Sequence, residues 1–97
     1  MPLTGHNILI VETEIGPFVL SLQRTLEAAG AETLVARDLR TARLRTNEFE
    51  FTGVVASNEH AAIKEAVDLR TVCYGSGATE RDPRAILAAL ARLLAAI

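Results

Sequence analysis

Tryptophan is absent from this 97-residue chain, and cysteine, methionine and tyrosine occur once each. A single cysteine cannot close an internal disulfide, so a secreted, disulfide-framed scaffold is not expected. Aromatic residues make up only 4% of the chain against 49% for hydrophobic residues as a whole. The core must therefore be built from Leu, Ile, Val and Ala, and the composition is that of a folded rather than a disordered chain. No charge sign dominates: ten Lys and Arg against twelve Asp and Glu leave a net charge of −2. That balance offers no whole-domain electrostatic case for nucleic acid or an anionic membrane. No apolar run is long enough to span a bilayer. The opening segment MPLTGHNILIVE lacks the basic-then-apolar pattern of a signal peptide. The expectation is one cytoplasmic domain over residues 1–97, with a modest core.

What the chain does contain is an alternation of short apolar runs and helical patterns. NILIV, Asn7 to Val11, reads as a strand buried on both faces. Gly16-Pro17 suits the opening of a helix, and Ile15, Phe18, Val19, Leu22 and Leu26 fall on one helical face that stops at Gly30. ETLVA, Glu32 to Ala36, is a second strand. Asp38 can cap a second helix, LRTARLRTNEF, with a thin apolar face of Leu39, Ala42 and Leu44. FTGVVA from Phe51 is the third strand, and Asn58 can cap a helix over EHAAIKEAV. LRTVCY is the fourth strand, GSGATERDP a turn-rich connection, and the last helix starts at Pro83 or Arg84 behind a capping Asp82. The order β-α-β-α-β-α-β-loop-α favours a parallel sheet with right-handed crossovers and helices on both faces. In such sheets the ligand crevice lies outside the carboxyl ends of the strands. Here those ends are Glu12-Thr13-Glu14, Ser57-Asn58-Glu59 and Gly75-Ser76-Gly77.

On ILIVETE, LQRTLEAAGAETLVARD, FTGVV and DPRAILAALARLL, the chain resembles the receiver domain of bacterial response regulators. The resemblance implies a flavodoxin-like fold and a place in two-component signal transduction. It also implies an acidic pocket: two adjacent acids after the first strand, a phosphoacceptor Asp at the tip of the third, a hydroxyl after the fourth and a Lys after the fifth. Three carboxylates of such a pocket hold Mg²⁺, which orients a phosphoryl donor for attack by the Asp. Carried over position by position, the pattern is degenerate. Glu12 stands at the first acid, Thr13 at the second, Ser57 at the phosphoacceptor, Gly75 or Ser76 at the hydroxyl and Thr79 at the Lys. The nearest basic residue, Arg81, stands out of register. The chain is also shortened, with one α/β segment missing before the last helix, so about four strands are expected, the fourth at an open edge.

Serine cannot form the mixed anhydride that makes receiver phosphorylation reversible. As a nucleophile it would need a base, for which His60 is the only neighbour in sequence, and an oxyanion hole; no G-x-S-x-G turn surrounds Ser57. Ser57 therefore reads as lost chemistry, a small polar residue at a helix start. Glu12, Glu14 and Glu59 are weak candidates for a divalent cation such as Mg²⁺, the only cofactor the pattern suggests. Cys73 lacks the Arg six residues on that a thiolate phosphatase uses, since that position is Thr79. It reads as a small buried hydrophobe. Arg37, Arg40, Arg43 and Arg45 make the second helix locally basic without an aromatic platform, and His6 and His60 have no metal-ligand spacing.

The last helix, AILAALARLLAAI, is apolar nearly all round, with Arg92 its only polar residue. The expectation is a degenerate, non-enzymatic receiver-like domain that works by protein–protein contact. Its partner is expected to be a second copy, in a homodimer that packs through that helix with or without exchanging it, or another signalling protein. Ile86, Leu90, Leu93, Leu94 and Ile97 are the expected contact residues. The alternatives are a phosphate- or Mg²⁺-responsive switch on Glu12, Glu14 and Ser57, and a small phosphatase or hydrolase.

Overall fold

The computed structural model describes residues 1–75, 77 and 80–95. Its elements run in chain order as β1 (Asn7–Val11), α1 (Pro17–Ala28), β2 (Glu32–Ala36), α2 (Leu39–Glu48), β3 (Gly53–Ser57), a 3₁₀ turn (Asn58–His60), α3 (Ile63–Ala66), β4 (Arg70–Tyr74) and α4 (Pro83–Ala95). The strands form one parallel sheet in the order β2-β1-β3-β4. This is the flavodoxin-like α/β architecture expected from the alternation, and β4 is an edge strand.

Alternate side chains of the central strands feed two cores. Ile8 and Ile10 of β1 and Val55 of β3 face Leu22 and Leu26 of α1 and Ile86, Leu90 and Leu94 of α4. Leu9 and Val11, with Val54 and Ala56, face Ala42 of α2 and Ile63 of α3. A strand buried on both faces has no polar side, which is why NILIV and GVVA read as unbroken apolar runs. Gly53 sits beneath α4, where an added Cβ would lie 3.3 Å from Leu90 Cδ1 and 3.4 Å from Leu94 Cδ2. Its missing side chain sets how closely α4 approaches β3.

The helix signals act as expected at both ends of α1. Gly16 is the N-cap with Pro17 at the first position. At the other end Gly30, with φ +102°, donates to Glu27 O at 3.0 Å while Ala31 N donates to Leu26 O at 3.1 Å. That pair of bonds is a Schellman closure, which needs the left-handed residue that glycine supplies. Asp38 accepts from Thr41 N at 2.7 Å and caps α2, and Asp82 accepts from Arg84 N at 3.0 Å at the start of α4.

Four expectations change. Ile15 precedes α1 and is about half exposed, and Leu44 lies on the outer face of α2, so neither joins a core. Strand β3 starts at Gly53 rather than Phe51. The single helix expected after it is split into the 3₁₀ turn and the four-residue α3. No side chain caps the start of either piece, so the tighter turn takes up the free donors, with Ala61 N bonding Asn58 O. The largest change concerns α4. Ile86, Leu90 and Leu94 are buried inside the chain's own core, against α1, β3 and β4. The outer face of α4 is instead Arg84, Ala85, Ala88 and Arg92. A helix apolar on most sides is explained by two-sided packing within one chain, on the sheet below and α1 beside it, so these three side chains offer no free contact surface. Leu93 is half-buried, and Ile97 lies outside the described residues.

Candidate functional site

The strand ends expected to carry chemistry do meet. Glu12 directly follows β1, Ser57 is the last residue of β3, and Gly75 directly follows β4. Together with Glu14, Asn58, Glu59, Glu80 and Arg81 they line a cleft of about 490 Å³ at the carboxyl edge of the sheet. Ser76 and Thr79, the carried-over hydroxyl and Lys positions, lie outside the described residues.

Glu12 is the centre of the arrangement and is fully buried. Its Oε1 accepts from Tyr74 Oη at 3.0 Å and lies 3.2 Å from Arg81 Nη2, while its Oε2 accepts from the backbone N–H of Glu14 at 3.3 Å. A buried carboxylate is tolerable only with such partners. Arg81 in turn lies against two rings: its guanidinium carbon is 5.2 Å from the Phe18 centroid and 5.8 Å from that of Tyr74. Phe18 and Tyr74 meet edge to face at 5.1 Å. The Tyr74 phenol is pushed upward, first by burial and then by the negative charge of Glu12, so it is held as a hydrogen-bond donor. These side chains join the end of β1, the start of α1, the end of β4 and the approach to α4.

Arg81 is therefore a site residue that position-by-position matching left out of register. Tyr74 and Phe18 were placed only as strand and helix residues. The signal for all three was available in hindsight: an acid directly after an all-buried strand requires a cation and a donor nearby, and Arg81 and the lone tyrosine flank the glycine-rich connection.

Ser57 is 4% exposed, and its hydroxyl finds no hydrogen-bond partner among the described residues. The Nε of Arg81 is in the same position. Glu80 folds its carboxylate over Gly75 and accepts from Gly77 N at 3.3 Å, closing one wall of the cleft.

His60 does not serve Ser57. Its Nε2 is 2.8 Å from Thr13 Oγ1, and that hydroxyl donates to the carbonyl of Arg37 at 3.1 Å. With the Thr13 proton committed to Arg37, the bond to His60 runs from ring N–H to hydroxyl oxygen, which is the wrong direction for a base. The nearest carboxylate, Glu59, faces the same Nε2 at 3.6 Å, so Glu59, His60 and Thr13 do not form a nucleophile relay. Glu12, Glu14 and Glu59 share the cleft, yet no three His, Cys, Asp or Glu side chains converge on one point among the described residues. Cys73 is a free, half-buried thiol on the edge strand. No helix among the described residues is long and apolar enough to cross a membrane.

No family model matches the chain, and no curated protein matches it by sequence. Solved structures do match its fold. The chemotaxis protein CheY4 of Vibrio cholerae, crystallised at pH 4.0, superposes with a TM-score of 0.64 at 16% identity, over 91% of this chain and 98% of that one. A fusion protein carrying amino acids 181–211 of the yeast Spc42 trimeric coiled coil superposes with a TM-score of 0.66 at 17% identity. That match covers 96% of this chain and spans 66% of the fusion's length. The class of protein that the fold defines is thus the flavodoxin-like, CheY-like α/β domain, here with a four-stranded sheet. At these identities the likeness is one of fold.

Proposed function

We propose that this chain is a degenerate receiver-like signalling domain of the cytoplasm that acts by protein–protein contact and does not depend on aspartyl phosphorylation. The observation that carries the reading is the saturation of Glu12. Both of its oxygens are engaged by Tyr74, Arg81 and the Glu14 amide, so the buried acid of the cleft serves structure. The strand tip across from it holds a hydroxyl in place of a carboxyl. Contact surface remains at the outer edge of β4, which no described strand covers, and in the groove of about 330 Å³ between β4 and α4, walled by Val72, Cys73, Ala85 and Ala89. An uncovered edge strand presents unpaired backbone groups that a second chain can complete. The partner is a second copy or another signalling protein.

Two measurements test this. Exposure to acetyl phosphate with Mg²⁺ is expected to leave the intact mass unchanged; a phosphoryl adduct would overturn the reading. Light scattering over a wide concentration range, with hydrogen exchange read at the β4 amides, tests the contact surface. Protection of Thr71 to Tyr74 that rises with self-association, or with an added signalling partner, supports the edge. Association that leaves these amides unchanged moves the contact elsewhere.

A second reading, a phosphate- or Mg²⁺-responsive switch on Glu12, Glu14 and Ser57, draws on the meeting of these three residues at the lining of one cleft. Its signature is an adduct, or an amide shift with Mg²⁺ and a phosphoryl mimic, that the Ser57→Ala variant loses.

A further inference from the structure

We propose that α2 is a self-association face. Two copies of this chain pair through their α2 helices, antiparallel across a two-fold axis, with Leu44 at the centre and Arg40 of each copy opposite Glu48 of the other. Helix α2 packs over β1 and β2, on the far side of the sheet from β4. The pairing is therefore independent of any chain that joins the β4 edge.

The ten residues of α2 bury only Ala42. Helical spacing turns Arg40, Leu44 and Asn47 the opposite way, with Arg43 and Glu48 on the two flanks of that outer face, and all five are exposed. A lone surface leucine is ordinary. Leu44, however, is 53% exposed in a shallow groove of about 340 Å³ that it lines with half-buried Leu39 and with Arg40, Arg43 and Asn47. Phe49, which ends the helix, is 54% exposed and extends the apolar surface past the last turn.

The charges select the occupant. Arg40 and Arg43 form no ion pair among the described residues. The outer face is thus basic in its first half, and it ends in Glu48 with Glu50 just beyond. That order runs against the helix dipole, which favours acids in the first turn and bases in the last. No acid stands in the first turn of α2. Arg45 lies 2.8 Å from Glu48, but both side chains are well exposed and such a pair contributes little.

A second α2 laid antiparallel answers the mismatch, because the acidic end of each helix then flanks the basic start of the other and the two dipoles oppose. A parallel pair would set Arg40 against Arg40. The face is complementary to itself only in the antiparallel sense, as an isologous two-fold contact requires. With Leu44 on the axis, positions 40 and 48 fall opposite each other, and each Leu44 meets the groove of the other copy. A ten-residue helix is about 15 Å long, so the contact is small and the dimer is a weak one.

The test is sedimentation equilibrium at protein concentrations up to about 1 mM, where weak dimers populate. The native chain, Arg40→Glu, Glu48→Arg and the variant carrying both are compared, with far-UV circular dichroism verifying that each is folded. The native chain is expected to dimerise. Each single variant sets like charges opposite each other twice across the axis and should raise the dissociation constant about tenfold. The variant carrying both changes should associate like the native chain. So should an equimolar mixture of the two single variants, since opposite charges then face each other at both contacts. Rescue by mixing cannot come from the stability of either chain alone, so it reads the contact itself. A native chain that stays monomeric overturns the proposal, including one whose α2 amides shift only on adding an acidic peptide such as polyglutamate. Association that the single variants leave unchanged, or that mixing fails to rescue, overturns it as well.

Discussion

Glu12 ties the end of β1 to Tyr74 of β4 and to Arg81 before α4, and its substitution is a sharp single-residue test of the structure. Glu12→Gln removes the charge that Arg81 and Tyr74 face, leaving a guanidinium lodged between two rings without its anion. The expected loss is about 2–4 kcal/mol in denaturant unfolding, in the lower part of the range for broken buried pairs because Arg81 is partly exposed. Arg81→Met in the Glu12→Gln background should recover part of it, since the double change leaves neither charge buried alone. The sole tyrosine gives a second residue-level readout. Because the folded phenol is held above its ordinary value of about 10, Tyr74 contributes stability at lower pH that is lost as pH rises past that point. Absorbance titration of the native protein should therefore show no phenolate step near pH 10, and the step should coincide with unfolding. Asp38 shows the opposite sign. The Thr41 backbone N–H and then its side chain hold that carboxyl below the usual range, so the cap stabilises α2 near neutrality and fades in acid. The melting difference between the native chain and Asp38→Ala should shrink as the pH falls below the ordinary Asp value of about 3.9.

Among the elements, α4 is where sequence and structure diverge most usefully. Its composition announced burial on several sides, and the burial is real, but the covering partners are β3, β4 and α1 of the same chain. Leu90→Ala should thus cost about 2–5 kcal/mol as a core truncation, seen as a lower midpoint in chemical denaturation with no dependence on protein concentration. Charges at Leu90 and Leu94 should unfold the chain rather than dissociate it. Helix α1 was legible almost to the residue, because Gly16, Pro17 and Gly30 act locally through backbone conformation. The segment after β3 was not, because a short piece without a capping side chain takes whichever turn the flanking strands impose.

At the scale of the whole molecule the two faces of the sheet are unequally covered. One carries α1 and α4 with their Leu and Ile side chains; the other carries α2, which buries only Ala42, and the four-residue α3. Hydrogen exchange should find α2 and α3 opening first and β1 and β3 last. Equal protection of α2 and α4 would contradict that ordering. The sheet ends in two edge strands, β2 and β4, and the outer edge of β4, beside its groove with α4, is what directs the functional reading toward contact with another chain.

The sequence by itself determined the alternation of elements, the parallel sheet and the carboxyl-end location of the cleft. Those follow from the unbroken apolar strands, the helix stop at Gly30 and the caps at Asp38 and Asp82, all short-range signals. It also placed Glu12 and Ser57 at the strand ends. Only the tertiary structure decided what those residues do. Glu12 is satisfied by Tyr74 and Arg81, which stand 62 and 69 positions away in the chain. His60 turns to Thr13 and away from Ser57, and the apolar surface of α4 is spent on its own sheet. Pairings across such separations depend on how the strands bring distant ends together, and no local pattern in the chain encodes them.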